Sequence, residues 1–297
     1  GISRPSTTFW KDAIGRLMKN KVAVVCFFII VLLILSCIIV PFFSPFESRE
    51  QHLGEVNKGF MTVCTDPRYE GQHHVHYFGT DNLGRDLFLR AFEGGRVSLM
   101  IAFAAVFVNL IVGLIYGGIS GYIGGAVDTI MMRIVEIVNG IPYLIVVILL
   151  MMVLPKGIFT MVVAYGITGW TGMARLVRGQ VLQLKSQEYI VAAEAMGAKS
   201  SRIIAKHLIP NALSVIIINV TLAIPSAIFT EAFLSYIGLG VPVPQPSWGV
   251  LAKGGQDVFM TYPYQLVVPA VAISLTMLSF NLLGDGLRDA FDPRLRR

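Results

Sequence analysis

Charge is what this sequence has least of. Asp, Glu, Lys and Arg make up 14% of its 297 residues, against about 25% in an ordinary soluble chain, so a water-exposed body could not be covered. Cysteine is also scarce. Cys26 and Cys37 lie in one apolar run, where they act as small hydrophobes. Cys64 stands alone in a polar loop, which excludes a disulfide framework. No Ser/His/Asp or Cys/His grouping marks a catalytic centre. The string Gly197-Ala198-Lys199-Ser200 lacks the glycine before the lysine and the preceding strand of a phosphate loop, so no cofactor is expected on this chain. His73, His74 and His76 crowd together without a Cys pair or a shared helix face, so no metal is expected. The net charge of +6 sits in short segments between apolar runs. That is how membrane proteins fix their orientation, and it is not a patch for nucleic acid.

What remains is apolar: 55% hydrophobic residues and a mean hydropathy of +0.68. A hydrocarbon core about 30 Å thick needs roughly 20 apolar residues of helix to cross it. The pattern predicts an all-α integral membrane protein with six transmembrane helices, at 22–40, 97–119, 128–153, 158–176, 212–236 and 265–283. The first is ended by Pro41. It is too long for a secretion signal and lacks a small-x-small cleavage site, so it reads as a retained span. Residues 1–21 carry Arg4, Lys11, Arg16, Lys19 and Lys21 against Asp12, and 175–211 carries Arg175, Arg178, Lys185, Lys199, Arg202 and Lys206 against Glu188 and Glu194. The loop 41–96 has six basic and eight acidic residues. The excess of Lys and Arg puts 1–21, 175–211 and the tail 287–297 inside and 41–96 outside, with both termini cytoplasmic.

Before the first span, Phe9, Trp10, Ile14, Leu17 and Met18 recur at helical spacing among Lys11, Arg16 and Lys19, which predicts an amphipathic helix in the cytoplasmic interface. Gly113, Gly117, Gly121 and Gly125 recur every four residues, and Gly166, Gly169 and Gly172 follow in the fourth span. Small residues so spaced let helix backbones approach closely in lipid. Pro142 and Pro225 interrupt the third and fifth spans and predict kinks. Charges within spans are costly and informative. Arg133 and Glu136, with Asn139 one turn on, suggest an internal ion pair or a pathway lining. Glu231 has no nearby partner in sequence and must face another helix, a cavity or the external interface. Outside, Gly79-Thr80-Asp81 and Gly84-Arg85-Asp86 read as a turn into a helix, with Thr80 or Asp81 to cap it and Gly84 for flexibility. Arg85, Asp86, Arg90 and Glu93 are spaced to pair along that helix.

The most unusual stretch is 188–211, EYIVAAEAMGAKSSRIIAKHLIPN. It is polar and basic, yet Tyr189, Ala192, Ala193 and Met196, then Ile203 and Ile204, keep a helical period. The Gly197-Ala198 step divides it into two short helices. Held between two spans, this is a knob whose small apolar face suits a groove on a soluble partner; an amphipathic helix lying on lipid has the same pattern. Here the chain resembles the permeases of ATP-binding cassette (ABC) importers, whose cytoplasmic loop has the form E-A-A-three-G-nine-I-x-L-P. The matching positions are Val191, Ala192, Ala193, Gly197, His207, Ile209 and Pro210. Val191 replaces the acid, with Glu188 and Glu194 one turn either side; His207 and Ile209 replace isoleucine and leucine. In that family the loop is the coupling helix that fits a cleft in the ATPase subunit.

The resemblance covers nearly the whole chain and is nearest to the oligopeptide/dipeptide branch (peptide/nickel family). It rests on HYFGTDNLGRDLFLRAFEGGRVSLM at 76–100, FLSYIGLG at 233–240, PSWG at 246–249 and GDGLRDAFDPR at 284–294. It implies a type I ABC importer permease fold with its core at 97–286, in a bacterial cytoplasmic membrane. The implied partners are a homologous second permease, two cytoplasmic ATPases that carry ATP and Mg, and an extracytoplasmic peptide-binding protein. This chain would then be a non-catalytic half of a peptide pathway. Dipeptide, nickel or glutathione import by the same machinery fits the same motifs. An ion-coupled secondary transporter, with Glu136 and Glu231 as its carboxylates, is the alternative of another class.

Overall fold

The computed structural model describes residues 9–69, 74–197, 200–204 and 208–292. Helix α1 (Phe9–Lys19) lies across the end of the last helix, α12 (Tyr264–Phe291). Trp10 packs edge-on against Phe291, and Arg16 Nη1 donates to the Asp292 carbonyl at 3.0 Å. Ile14 and Met18 remain exposed, so the helix keeps an apolar face for an interface. Helix α2 (Lys21–Phe43) is capped by Asn20, whose side chain accepts from Ala23 N. It does not stop at Pro41. Proline's fixed φ is helical and it forfeits only its own N–H bond, so the last turn closes over it.

Residues 44–69 and 74–86 form a cap over one end of the bundle. It holds an antiparallel pair, β1 (Thr62–Val63) with β2 (Val75–His76), so the described chain is helical rather than strictly all-α. Helix α3 (Leu87–Ile123) begins ten residues before the expected span. Asp86 is its N-cap and accepts from Leu89 N at 2.7 Å; the cap is neither Thr80 nor Asp81. At 1.5 Å per residue its 37 residues make a rod of about 55 Å.

The expected third and fourth spans are not single helices. Helices α4 (Gly125–Asn139) and α5 (Tyr143–Val153) meet at 78°. Pro142 cannot donate into the turn and drives Ile141 out of helical backbone, so the kink becomes a corner. The fourth divides at Gly169 into α6 (Ile158–Thr168) and α7 (Trp170–Lys185). A Cβ on Gly169 would lie 2.3 Å from Asn109 Nδ2 of α3. The short helices α8 (Glu188–Ala195) and α9 (Ser200–Ile203) follow, then α10 (Ile209–Tyr236), α11 (Trp248–Asp257) and α12. Among the described residues four helices, α2, α3, α10 and α12, are long and apolar enough to cross a membrane, or five spans if the bent α4–α5 pair counts as one. This is a multi-pass membrane protein.

Close approach of α3 and α7 organises the bundle. Cβ atoms on Gly113, Gly117 and Gly121 would fall 2.5, 2.3 and 2.9 Å from atoms of Met173, Ala174 and Arg178. The glycine stripe is thus a packing face, as its spacing implies, although Gly125 and Gly172 face open space.

Candidate functional site

The end of the bundle opposite the cap carries the knob. Ile190 of α8 and Ile203 of α9 are fully buried against Val177 and Val181 of α7, Leu208 just before α10, and Ala212 and Ile216 of α10. Tyr189, Ala192 and Met196 face outward, and Met196 is 82% exposed. The helical period of the sequence therefore splits into an anchored side and an open side. Gly197 ends α8 at φ +79, the left-handed stop that glycine accepts. Pro210 sits in the first turn of α10, where a missing N–H costs nothing. Glu188 opens α8, and Glu194 and Ala193 lie along it. His207 falls outside the described residues, as do Lys199, Lys206 and His73.

The base of the knob is tied to the rod. Lys185 Nζ donates to the Tyr122 carbonyl at 2.6 Å. Arg178 of α7 grips Asp128 of α4 with Nε at 2.5 Å and Nη2 at 2.6 Å, and Ser120 of α3 donates to the same carboxylate. Sequence reasoning took Arg178 as part of an orienting charge count. Its partner lies 50 residues away, so no local spacing signals it.

Arg133 and Glu136 do pair, at 2.6 Å, but their side chains are 72% and 59% exposed. The pair lies on the surface of the chain and is not internal. Asn139 Oδ1 accepts from Thr171 Oγ1 at 3.1 Å, bracing the end of α4 against α7. Glu231 is fully enclosed. Its Oε2 accepts from Ser98 of α3 at 2.6 Å and its Oε1 from Ser235 at 2.7 Å. Trp248, the tryptophan of PSWG, donates its backbone N–H to Ser98 Oγ and its indole N–H to the Ala91 carbonyl. Its ring fills the space opposite Gly95, where a Cβ would come within 2.7 Å. In the sequence Ser98 and Trp248 stand only as members of the motifs at 76–100 and 246–249, with no role of their own.

In the cap, GTDNLGRD is a tight fit. Gly79 and Gly84 have φ of +76 and +74, and Cβ atoms there would lie 2.2 Å from the Lys58 carbonyl and 2.0 Å from that of His52. Gly84 thus serves close approach, not flexibility. Asp81 accepts from the backbone of Leu83 and Arg85 and from Arg85 Nε at 2.7 Å. Thr80 donates to the Glu55 carbonyl and accepts from Lys58 N. The expected pairing along the helix is replaced: Asp86 takes His76 Nδ1 at 2.7 Å, and buried Arg90 donates to the Ser48 carbonyl at 2.8 Å. His76 Nε2 reaches Glu55 Oε2 at 3.1 Å. Burial works against a charged His76, but the hydrogen bonds and charges of Asp86 and Glu55 outweigh it and raise its pKa. Burial likewise opposes ionised Glu55, yet its bonds from Thr65, Cys64 and His76 hold its pKa below the usual value. Tyr264 and Gln265 of α12 reach the Lys58 and Thr80 carbonyls, which seats the cap on the bundle.

A solved chain described as "Inward facing conformations of the MetNI methionine ABC transporter" matches 69% of this chain and 97% of its own length, with a TM-score of 0.54 at 22% identity. The two chains share one fold, that of a type I ABC importer permease. The family described as "Binding-protein-dependent transport system inner membrane component" matches residues 109–297, and the "N-terminal TM domain of oligopeptide transport permease C" matches residues 8–59. Among curated relatives, the oligopeptide transport system permease protein OppC of Bacillus subtilis is 50% identical over all of this chain and 93% of its own length. The dipeptide permease DppC of the same organism is 48% identical over all of this chain and 89% of its own, and OppC of Escherichia coli K12 is 44% identical over 97% and 92%. The chain belongs to the binding-protein-dependent ABC importer permeases, in their oligopeptide/dipeptide branch.

Proposed function

We propose that this chain forms half of the translocation pathway for oligopeptides in an ATP-driven importer of a bacterial cytoplasmic membrane, and that α8 couples it to a cytoplasmic ATPase. The observation that carries the reading is the two-sided knob: Ile190 and Ile203 buried in the bundle, with Tyr189, Ala192 and Met196 open to a partner. An amphipathic helix resting on lipid needs no such anchorage in α7 and α10. Glu188, Ala193, Glu194, Gly197, His207 and Pro210 complete the coupling segment. Six crossings, with both termini and the knob on the cytoplasmic side, follow if α4–α5 and α6–α7 each serve as one broken span.

The partners are a homologous second permease, two ATPases holding ATP and Mg, and an extracytoplasmic peptide-binding protein above the cap. ATP closure of the ATPase pair moves α8, and Lys185–Tyr122 and Arg178–Asp128 pass that motion to α3 and α4. The exposed Arg133–Glu136 pair lies on the α4 face offered to the pathway or to the second permease. The ion-coupled alternative loses its carboxylates: Glu136 is paired with Arg133, and Glu231 is sealed among serines.

The test is affinity capture of the detergent-solubilised chain from its native membrane, wild type and Ala192→Arg. Recovery of an ATPase and a second permease, with the ATPase alone lost in the variant, is expected. A chain that emerges by itself in both cases overturns the reading. Uptake of labelled tri- to pentapeptides, competed by dipeptide, nickel or glutathione, decides the substrate class.

A further inference from the structure

The cap holds a second cluster, apart from the knob. His52, Glu55 and Cys64 are 1%, 2% and 8% exposed, and an imidazole nitrogen, a carboxylate oxygen and the thiol lie within 4.8 Å of one another. His52 Nδ1 meets Asp66 Oδ2 at 2.8 Å. Arg68 Nη2 also lies 3.2 Å from Nδ1; with Asp66 taking the Nδ1 proton, the ring is oriented as a metal-binding imidazole is, by a carboxylate behind it, and Nε2 is left to an ion. Among the described residues Nε2 is buried and has no hydrogen-bond partner. Glu50 Oε2 is 3.8 Å from it, too far for a hydrogen bond. A buried ring nitrogen without a partner is a group that a bound ligand would satisfy. Glu55 is held from behind, since Oε1 accepts from Thr65 N and Oγ1 while Oε2 takes His76 and the Cys64 thiol at 3.3 Å.

We propose that His52, Glu55 and Cys64 bind one zinc-class divalent transition-metal ion. An imidazole, a thiolate and a carboxylate are the donor set of borderline-soft ions. Bonds of about 2.0–2.3 Å place tetrahedral ligand atoms about 3.3–3.7 Å apart, so the three close on an ion by a movement of about 1 Å. The ion takes the place of the Cys64 thiol proton, which leaves to solvent. Asp66 orients His52, and His76, itself held by Asp86, backs the Glu55 carboxylate. The site joins the 53–55 turn to β1 and, through His76 and Asp86, to the first turn of α3. The described histidines of the 73–76 run are otherwise engaged: His74 packs against Phe46 and Tyr69, and His76 is taken by Asp86 and Glu55.

The test is titration of the purified full-length chain in detergent with Co2+ and then Zn2+. One equivalent of Co2+ is expected to produce a thiolate-to-metal charge-transfer band, which Zn2+ bleaches. Cys64→Ser removes the band, and Cys26→Ser with Cys37→Ser leaves it. Asp66→Asn weakens Zn2+ binding about 10- to 100-fold. A second readout needs no variant: Zn2+ at 100 times its Kd slows alkylation of Cys64 about 100-fold. Absence of the band in the wild-type chain, its survival in Cys64→Ser, or unprotected Cys64 each overturns the proposal.

Discussion

Ser98 bridges Glu231 and the backbone of Trp248: its hydroxyl donates to Glu231 Oε2 at 2.6 Å and accepts from Trp248 N at 3.1 Å. One hydroxyl therefore joins α3, α10 and α11 in a region closed to solvent. Glu231→Ala leaves two buried serine O–H donors without an acceptor, at about 1–3 kcal/mol for each, and is expected to lower the apparent melting temperature in detergent. Glu231→Gln keeps an acceptor and is expected to melt close to wild type and to transport normally. Normal melting with lost transport in Glu231→Gln would assign the carboxylate to the pathway instead.

Two glycines in the membrane region separate packing from permissiveness. Gly117→Ala would set a methyl 2.3 Å from the Ala174 carbonyl, whereas Gly172 has nothing within 4 Å. Overpacking of this kind costs about 1–3 kcal/mol, so Gly117→Ala is expected to destabilise. Gly172→Ala removes a flexible helix residue and is expected to stabilise by about 0.5–1 kcal/mol. Thermal unfolding of both variants in one detergent checks the sign of each.

The Arg178 fork on Asp128 joins α7 to α4. Arg178 is a third exposed, so solvent screens part of its attraction. Asp128→Asn is expected to cost about 1–2 kcal/mol. The double variant Asp128→Asn with Arg178→Gln, which strands no charge, is expected to lose less than the sum of the single changes. Strict additivity in that cycle would mean that the two side chains do not interact.

Orientation can be read with thiol labels, because Cys26, Cys37 and Cys64 are all buried. Met196→Cys and Leu53→Cys place thiols on exposed positions at the two ends of the molecule. A membrane-impermeant maleimide is expected to label Leu53→Cys in right-side-out vesicles and Met196→Cys only in inverted ones. The opposite result reverses the assignment of the knob to the cytoplasm.

The long spans were legible because apolar runs must exceed the hydrocarbon thickness, and 22–40, 212–236 and 265–283 lie within α2, α10 and α12. The start of α3 was missed because Arg85, Arg90 and Glu93 break the apolar window while leaving helix geometry untouched. Pro142 announced an irregularity, but 78° depends on what α4 and α5 pack against. The two-helix knob was visible in the period of 188–204 and the Gly197 step. The cap cluster was not: His52, Glu55 and Cys64 have no ligand spacing, and only the antiparallel β1–β2 turn and the tight Gly84–His52 approach bring them together. Ser98 and Glu231, 133 residues apart, are likewise joined only by the packing of α3 on α10.

The unbroken length of α3 sets the gearing of the molecule. One end is fixed to the cap through Asp86 and the other to the knob through Tyr122 and Ser120. If a continuous helix of about 55 Å moves as one body, a swing of about 5° about either end carries the other through about 5 Å, close to one helical turn. Under the proposed function, a small rotation at the knob end has a stroke large enough to reseat the cap.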